Sequence, residues 1–391
     1  MLNGEMKLAR PLRWGMVGGG QTSQVGYKHR IGALRDNGAF ELVCGAFDVD
    51  AERCTEFGTR IGVQAERCYG DFHRMLAEEA KRPDGVEVVS VATPNFTHYE
   101  ITKACLEAGL HVICEKPLFF TVAECEEIEQ LAASKNLIVG VTYGYSGHQM
   151  LMQMKAMIEQ GKIGDVRMVD LQYTHGFNAA DGDHLSEAQA WRVNPKTSGS
   201  TFVLGDLATH TFYMAHRILP NLHIEKLMCD RQSLVPAHAP LEDNAHVLFH
   251  YNNGAVGRLW TSSVDAGNMD AQRIRIVGSK ASLQWSAAYP DDLHYQVQGE
   301  PNQHLHRGMP YLDEQALEYE RMGALHTEGL GDSWANVYLS IALAIDAANR
   351  GAKDELEAVQ YPDVKAGKEG VRWLENCVRS SESGSAWVAY Q

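Results

Sequence analysis

The chain has 391 residues, of which 45% are hydrophobic and 22% charged, as is ordinary for a folded protein. Its formal net charge of −15 at pH 7 argues against nucleic acid as a partner, because an acidic chain gains nothing by releasing the counterions of DNA or RNA. The same charge argues against binding to an anionic membrane, and we expect neither a transmembrane nor a secretory segment. The eight scattered cysteines include no C-x-x-C pair, which favours a cytoplasmic protein over a disulfide framework.

The first 145 residues alternate short apolar runs with longer amphipathic stretches. The apolar runs are Trp14–Val17, Leu42–Phe47, Val86–Ala92, His111–Cys114 and Leu137–Val141. Such runs, separated by helical patterns, predict βαβ units and a parallel sheet that is buried on both faces. Thr97 with Glu100, and Thr121 with Glu124, have the spacing of capping boxes and predict two helix starts.

After Tyr145 the pattern changes to several consecutive strands. Strand candidates are Val166–Phe177, Ile224–Leu234, Ala245–Tyr251, Ala255–Ser263 and Arg273–Val277, and Asn252-Asn253-Gly254 is a hairpin signal. Helical patterns cover Gly205–Leu219, Trp334–Asn349 and Val364–Ser380. The predicted fold is α/β, with an N-terminal Rossmann dinucleotide-binding domain at residues 11–146. A C-terminal α+β domain with a largely antiparallel open sheet is expected at residues 147–391.

A glycine-rich turn follows the first predicted strand. Gly18 and Gly20 match the first two glycines of a G-x-G-x-x-G fingerprint, and Gln21 and Thr22 continue the turn as further cofactor-binding candidates. Ser23 occupies the position of the third glycine, whose role Gly26 takes if three residues are inserted. The alternative is a flexible connection between a strand and a helix.

Asp48 follows the second predicted strand, where such folds place an acid that binds the adenosine ribose. A carboxylate there accepts a hydrogen bond from a free 2′-hydroxyl and repels a 2′-phosphate, so NAD is preferred over NADP. Asp48 is alternatively a helix N-cap, a role that Asp50 fills equally well.

Four motifs in order resemble the Gfo/Idh/MocA (glucose–fructose oxidoreductase/inositol dehydrogenase/MocA) family over nearly the whole chain. They are Gly26-Tyr27-Lys28-His29, the T-P-N-x-x-H segment from Thr93 to His98, Glu115-Lys116-Pro117, and the D-x-x-x-H segment from Asp206 to His210. The resemblance implies a Rossmann domain with bound NAD. It implies that Thr93, Asn95, His98 and Glu115 belong to the cofactor site.

The resemblance also implies hydride transfer from a secondary hydroxyl of a sugar, cyclitol or related polyol. Lys116 would supply positive charge and a hydrogen bond at the reacting oxygen, and His210 titrates near neutrality and could take the proton. Asp206 lies four residues before His210, so on an α-helix both side chains would share one face, with Asp206 orienting His210 or binding a second hydroxyl. Each of these residues is alternatively an ordinary surface or packing residue.

The substrate candidates are Tyr143, Tyr145, His175, Trp191 and Arg192. The segment after the last Rossmann strand lacks the arginine of many family members, and its tyrosines suit a neutral sugar ring better than a carboxylate. The segment His326-Thr-Glu-Gly329 resembles sugar-oxidising family members, without an assignable role. His175, His184 and His210 with Asp181 and Asp183 lack metal-ligand spacing, so no metal is expected.

Two other functions share this set of residues. One is an NAD-dependent glycoside hydrolase that oxidises C3 of its substrate transiently, and the other is a non-catalytic sugar or NAD sensor. An open sheet in the second domain must be covered, which predicts a homodimer or homotetramer.

Overall fold

The computed structural model describes residues 8–35, 38–180 and 190–391. They form two compact units. The Rossmann unit consists of residues 8–144 and Trp334–Val371, and the sheet unit consists of the described residues of Tyr145–Ser333 and Arg372–Gln391. Residues 334–371 thus group with the Rossmann unit, whereas the sequence-based division assigns all of 147–391 to one C-terminal domain.

The Rossmann unit contains a parallel five-stranded sheet with the strand order β2-β1-β3-β4-β5. Its strands are β1 (Leu12–Gly18), β2 (Phe40–Ala46), β3 (Val88–Ala92), β4 (His111–Cys114) and β5 (Val139–Val141). Strands β3 and β4 are buried along their whole length, as expected for a sheet covered by helices on both faces. The predicted parallel sheet is confirmed.

The helices between these strands are α1 (Gly26–Leu34), α2 (Ala51–Arg60), α3 (Phe72–Glu79), α4 (His98–Glu107) and α5 (Val122–Lys135). At the start of α5, Thr121 and Glu124 form the predicted capping box. The capping box predicted at Thr97 is wrong. A 3₁₀ turn, Asn95–Thr97, leads directly into α4, so Thr97 already has helical dihedrals and its hydroxyl donates to the carbonyl of Pro94.

The sheet unit contains a nine-stranded sheet with the order β13-β12-β11-β10-β6-β9-β8-β7-β14. Among the described strands of this second sheet, only the β6–β9 pair is parallel. The predicted largely antiparallel sheet is therefore confirmed. The strands are β6 (Val166–Thr174), β7 (Ile224–Gln232), β8 (Asn244–Tyr251), β9 (Val256–Ser262), β10 (Ala271–Gly278), β11 (Ala281–Ser286), β12 (Asp292–Val297), β13 (Gln303–His306) and β14 (Val388–Ala389). The predicted hairpin joins β8 to β9, with Gly254 at φ 84°.

The remaining helices, in chain order, are α6 (Gln149–Glu159), α7 (Pro195–Ser198), α8 (Thr209–Ile218), α9 (Glu314–Leu317), α10 (Leu330–Arg350), α11 (Lys353–Ala358) and α12 (Val364–Glu382). One face of the nine-stranded sheet is buried with α6 and α8 in a core that includes Leu171, Leu259 and Ile274. Among the described residues, no helix is both long and apolar enough to cross a membrane.

Helix α10 explains why residues 334–371 belong to the Rossmann unit. Its Ile341 packs so closely on β5 that a Cβ added to Gly140 would lie 2.6 Å from the Ile341 side chain. Its Asn349 side chain contacts the His111 imidazole of β4, with 3.0 Å between Oδ1 and Nε2. These contacts join segments more than 200 residues apart in the sequence.

A buried ionic cluster in the sheet unit gives the His326–Gly329 segment a structural role. Glu328 accepts hydrogen bonds from the backbone N–H groups of Arg321 (2.6 Å) and Met322 (2.9 Å). Its Oε1 also lies 3.3 Å from the guanidinium of Arg307, which is 2% exposed and donates to Asp291 as well. Glu328 therefore anchors the loop 321–328 to Arg307.

Replacing Glu328 by alanine is expected to destabilise the protein by about 3 kcal/mol. The substitution removes one of the carboxylates that pair with the buried Arg307 guanidinium, and it leaves two backbone N–H groups without their acceptor. The free energy of unfolding in urea measures this loss. His326→Ala, an exposed neighbour on the same loop, serves as the control and should change stability by about 0.5 kcal/mol or less. Equal effects of the two substitutions would contradict the anchoring role.

Candidate active site

The glycine turn after β1 has the backbone geometry of a phosphate-binding loop. Gly18 and Gly19 have φ values of 77° and 73°, which side chains rarely tolerate. A Cβ added to Gly20 would lie 2.5 Å from the carbonyl oxygen of Phe47, so the turn passes close to the end of β2. The turn needs glycine at Gly18, Gly19 and Gly20, although the fingerprint indicates only the first and third of them.

Gly26 allows the close packing of helix on turn that the third glycine of the fingerprint normally allows. A Cβ added to Gly26 would lie 2.1 Å from the carbonyl oxygen of Gly19, so the first turn of α1 packs directly on the glycine turn. Ser23 does not pack there, because its hydroxyl accepts hydrogen bonds from the backbone N–H groups of Val25 and Gly26. The helix N-terminus thus faces the turn, an arrangement that fits the pyrophosphate of a dinucleotide.

Gly26→Ala is expected to weaken NAD binding by about tenfold or more, because the methyl group must push the glycine turn away from α1. Titration of the protein with NADH, followed by ligand fluorescence, measures the dissociation constant. Gly329→Ala is the matched control, because nothing lies within 4 Å of the added methyl group. Unchanged NADH affinity in the Gly26 variant would show that the turn does not contact the cofactor.

Asp48 and Asp50 have separate roles after β2. Asp50 is the N-cap of α2 and accepts from the backbone N–H groups of Glu52 and Arg53, so the capping role does not require Asp48. Oδ1 of Asp48 accepts from the backbone of Asp50 and from the Arg53 guanidinium, each at 2.9 Å. Burial raises the pKa of Asp48, but these hydrogen bonds outweigh it and hold the pKa below its usual range. Asp48 is therefore ionised at neutral pH.

Two other predicted cofactor residues, Gln21 and Thr22, are exposed in the glycine turn. The side-chain oxygen of Gln21 lies 3.3 Å from the guanidinium of Arg60, at the end of α2. Arg60 and Arg30 also lie over the ring of Phe57, 5.4 and 5.1 Å from its centroid. The turn is thus flanked by positive charge that suits a pyrophosphate.

The predicted residues after β3 and β4 are brought together by His98. Its buried imidazole lies 3.0 Å from the carbonyl oxygen of Thr93 and 3.0 Å from that of Pro117. The hydroxyl oxygens of Thr93 and Thr97 are 2.7 Å apart, and Asn95 begins the 3₁₀ turn between the two residues. His98 thus holds two loops in register at the carboxyl edge of the sheet, where ligands of such folds bind.

Glu115 and Lys116 directly follow strand β4 and are buried, with Lys116 9% exposed. Glu115 accepts from the Thr142 hydroxyl at 2.6 Å and from the backbone N–H of Lys116 at 3.2 Å, and it lies 3.1 Å from Nε2 of His29. Burial raises the pKa of Glu115, but His29, Lys116 and Thr142 together lower it to about 2. Lys116 therefore stands beside a carboxylate that stays ionised.

In the sheet unit, several predicted substrate and catalytic residues form one cluster. The ring of Tyr145 packs edge-on against His210 at 4.7 Å between centroids, and its hydroxyl lies 2.8 Å from that of Tyr173. The charge of Asp206 raises the pKa of His175, although burial lowers it more. Tyr145, His175, Asp206 and His210 thus lie near one another.

Arg192 belongs to the same cluster. Its Nε lies 3.3 Å from Oδ2 of Asp206, and its guanidinium lies over the ring of Trp191 at 4.7 Å from the centroid. The ion pair balances the charge of Asp206, so the cluster combines aromatic faces and hydroxyls with paired charges.

Asp206 and His210 do not lie on one regular α-helix. Leu204–Ala208 is a π-helical turn, and α8 starts only at Thr209. The prediction that an i, i+4 spacing on an α-helix aligns the two side chains is therefore wrong in its premise, because a π turn is wider than an α turn. Such turns are frequent at functional sites.

Tyr143 belongs to the other unit. It lies in the Rossmann unit, 1% exposed, and its hydroxyl is 2.3 Å from where a Cβ on Gly370 would be. Tyr173 is the residue that sequence reasoning missed. In the sequence, only its position two residues before His175 points to it, because alternate residues of the predicted strand Val166–Phe177 share one face.

Among the described residues, no group of three His, Cys, Asp or Glu side chains could hold a metal ion. Asp181, Asp183 and His184 of the weighed metal set lie outside the described residues.

Comparison with known proteins identifies two matching family models. Residues 12–143 match the oxidoreductase family, NAD-binding Rossmann fold (GFO_IDH_MocA), and residues 155–390 match the oxidoreductase family, C-terminal alpha/beta domain. The chain is 65% identical, over the full length of both proteins, to the uncharacterized oxidoreductase YfiI of Bacillus subtilis. It is 28% identical to levoglucosan dehydrogenase of Pseudarthrobacter phenanthrenivorans, over 63% of this chain and 65% of the relative.

Similar solved structures include an inositol dehydrogenase homolog from Azotobacter vinelandii. In its complex with NADH and myo-inositol that protein is 51% identical to this chain, with a TM-score of 0.95 over 99% of this chain and 100% of the homolog. In its complex with NAD+ the TM-score is 0.98 over 100% of both chains. With both domains matched and a 65% identical relative aligned end to end, the chain belongs to the Gfo/Idh/MocA family of oxidoreductases.

Proposed function

We propose that this oxidoreductase is an NAD-dependent dehydrogenase that oxidises a secondary hydroxyl of a cyclitol or sugar, with an inositol as the first substrate to test. The observation that supports the proposal most is the 51% identical homolog with bound NADH and myo-inositol, which matches this chain over its full length. The cluster of hydroxyls, imidazoles and balanced charges in the sheet unit suits a neutral polyol.

The cofactor would be held by the glycine turn, the N-terminus of α1 and Asp48. NAD, when bound, supplies the carbon that accepts the hydride. Asp48 would accept a hydrogen bond from the 2′-hydroxyl of the adenosine ribose, and its fixed negative charge disfavours a 2′-phosphate. The proposal therefore includes preference for NAD over NADP.

Lys116 would act on the reacting oxygen. Its ammonium group can donate a hydrogen bond to the hydroxyl and stabilise negative charge that develops there as the proton leaves. His210 would accept that proton, and Asp206 would bind an adjacent hydroxyl while Arg192 balances its charge. Tyr145 and Tyr173 would hold the ring of the substrate through their linked hydroxyls and apolar faces.

A substrate screen tests the proposal. Purified protein is mixed with NAD or NADP and with inositols, aldoses, anhydrosugars or glycosides, and reduced nicotinamide is followed by its absorbance. NAD-dependent reduction with one polyol class supports the dehydrogenase. Glycoside cleavage without net NADH would instead support the transient-oxidation hydrolase, and binding without any reaction would support the sensor.

The outer face of the nine-stranded sheet favours self-association. Exposed apolar side chains from three neighbouring strands lie there: Met168 (48% exposed), Leu248 (39%) and Val256 (42%). Covering such a face with a second copy removes apolar surface from water, so a homodimer or homotetramer is part of the proposal.

Val256→Lys is expected to shift the oligomer toward monomer by placing a charge on this face. Light scattering after size-exclusion chromatography gives the molar mass. Leu325→Lys is the control, because Leu325 is 94% exposed and lies outside the sheet. A wild-type protein that is monomeric at all concentrations would contradict this assembly.

A further inference from the structure

A buried chain of polar contacts runs through the Rossmann unit to Glu115. The Trp14 indole donates to Ser90 at 2.8 Å, and the Ser90 and Tyr338 hydroxyls are 2.9 Å apart. The Tyr338 hydroxyl lies 2.6 Å from Nδ1 of His29, whose Nε2 lies 3.1 Å from Glu115. The first four residues are completely buried and Glu115 nearly so.

In one direction this chain needs no charge on the His29 imidazole. An indole N–H can only donate, so the Ser90 oxygen accepts from Trp14 and its own hydroxyl is available to Tyr338. With Tyr338 donating to Nδ1 of His29, the imidazole is neutral and its hydrogen is on Nε2, which lies 3.1 Å from a Glu115 oxygen. The series of contacts then ends on the carboxylate. The chain therefore favours an ionised Glu115.

The other neighbours of Glu115 keep its carboxyl group ionised. Thr142 and the Lys116 backbone N–H also donate to it, and a carboxylate that accepts several hydrogen bonds stays ionised. His98 and Cys114 also face it. Burial lowers the pKa of His98 and raises that of Cys114, so both favour the neutral form. Burial likewise raises the pKa of Tyr338. Lys116, the residue directly after Glu115 in the sequence, carries the adjacent positive charge.

The position of Glu115 along the sheet relates it to one half of a dinucleotide. The glycine turn follows β1 and Asp48 follows β2, so the adenosine half belongs to the β2 side of β1. The nicotinamide half then belongs to the opposite side of β1, over the ends of β3 and β4. Glu115 directly follows β4.

We propose that the Glu115 carboxylate is a built-in counter-charge that makes the site bind oxidised nicotinamide, a cation, in preference to the neutral reduced ring. The inference rests on the proposed use of NAD and adds a role that the four motifs do not reveal. The reduced ring is neutral, so it would lack the attraction to the carboxylate that the oxidised ring would gain. His29 and Tyr338, linking α1 and α10 to β4, are positioning residues for this carboxylate.

The test compares the affinities of NAD+ and NADH in wild type and in Glu115→Gln, by tryptophan quenching and NADH fluorescence. Removing the charge is expected to weaken NAD+ binding about tenfold relative to NADH. Thr142→Val is the matched control, because it removes a hydrogen bond to the same carboxylate and leaves the charge. It should change both affinities alike.

Equal changes in NAD+ and NADH affinity in Glu115→Gln would overturn the inference. If that variant does not fold, wild type still decides. Binding of NAD+ at least as tight as that of NADH supports the counter-charge, and NADH binding more than about tenfold tighter overturns it. These measurements need no substrate. A failure of the dehydrogenase proposal, seen as no reaction with any polyol, is therefore distinct from a failure of this inference.

Discussion

Replacing Lys116 by alanine is expected to lower kcat by about 100-fold or more, while the affinity for NAD changes little. Lys116 lies two residues after the end of β4, at the edge of the sheet where substrates of such folds bind, and it directly follows Glu115 in the sequence. Its ammonium group would stabilise negative charge only as the hydroxyl proton leaves, so its loss affects the transition state more than the ground state.

The measurement is steady-state turnover with the polyol found in the screen, together with NADH binding to the same protein. Lys103→Ala is the control, because Lys103 lies on α4 of the same unit and pairs with Glu127 near the surface. Turnover within about threefold of wild type in the Lys116 variant would remove Lys116 from the chemistry.

Replacing Asp48 by serine is expected to shift selectivity from NAD toward NADP by roughly 100-fold. The substitution removes the negative charge that opposes a 2′-phosphate. It also removes the carboxylate to which the Arg53 guanidinium donates at 2.9 Å in the present structure. We expect Arg53 to donate to the 2′-phosphate in its place, so one substitution removes a repulsion and adds an attraction.

A double-substitution cycle separates these two effects. The dissociation constants of NAD+ and NADP+ are measured for wild type, Asp48→Ser, Arg53→Gln and the combined variant. We expect the gain in NADP+ affinity in Asp48→Ser to be largely lost when Arg53 is also replaced. A combined variant that binds NADP+ as tightly as Asp48→Ser would limit the role of Arg53 to pairing with Asp48.

The Rossmann sheet is well predicted from the sequence, because its strands and turns have patterns that lie within short segments of consecutive residues. Apolar runs such as His111–Cys114 become strands when both faces are covered, and a glycine is demanded wherever a backbone approaches another closely, as at Gly26. The Asn252–Gly254 hairpin is local in the same way.

Other features depend on contacts between distant segments and leave little local trace. The side chain of Tyr338 reaches His29 across 309 positions of sequence, and this contact draws α10 into the Rossmann unit. The sequence does not predict strands β11 to β13, because their alternation of apolar and polar residues is weak. These strands depend on pairing with their neighbours in the sheet.

The candidate site shows the same division. Residue types at the motif positions led to Lys116, Asp206 and His210, whose catalytic roles stay predictions. The π turn at Leu204–Ala208 and the Tyr145–Tyr173 hydroxyl pair could be found only in the structure. Both depend on contacts between segments that are distant in the sequence.

Direct hydride transfer is the central claim, and isotope tracing tests it most directly. The protein is incubated with NAD+ and myo-inositol deuterated at its ring carbons, and the NADH formed is analysed by mass spectrometry. We predict one deuterium per reduced nicotinamide and one oxidised inositol per NADH. NADH without deuterium, or no net NADH with inositols and all other polyols, would contradict the account.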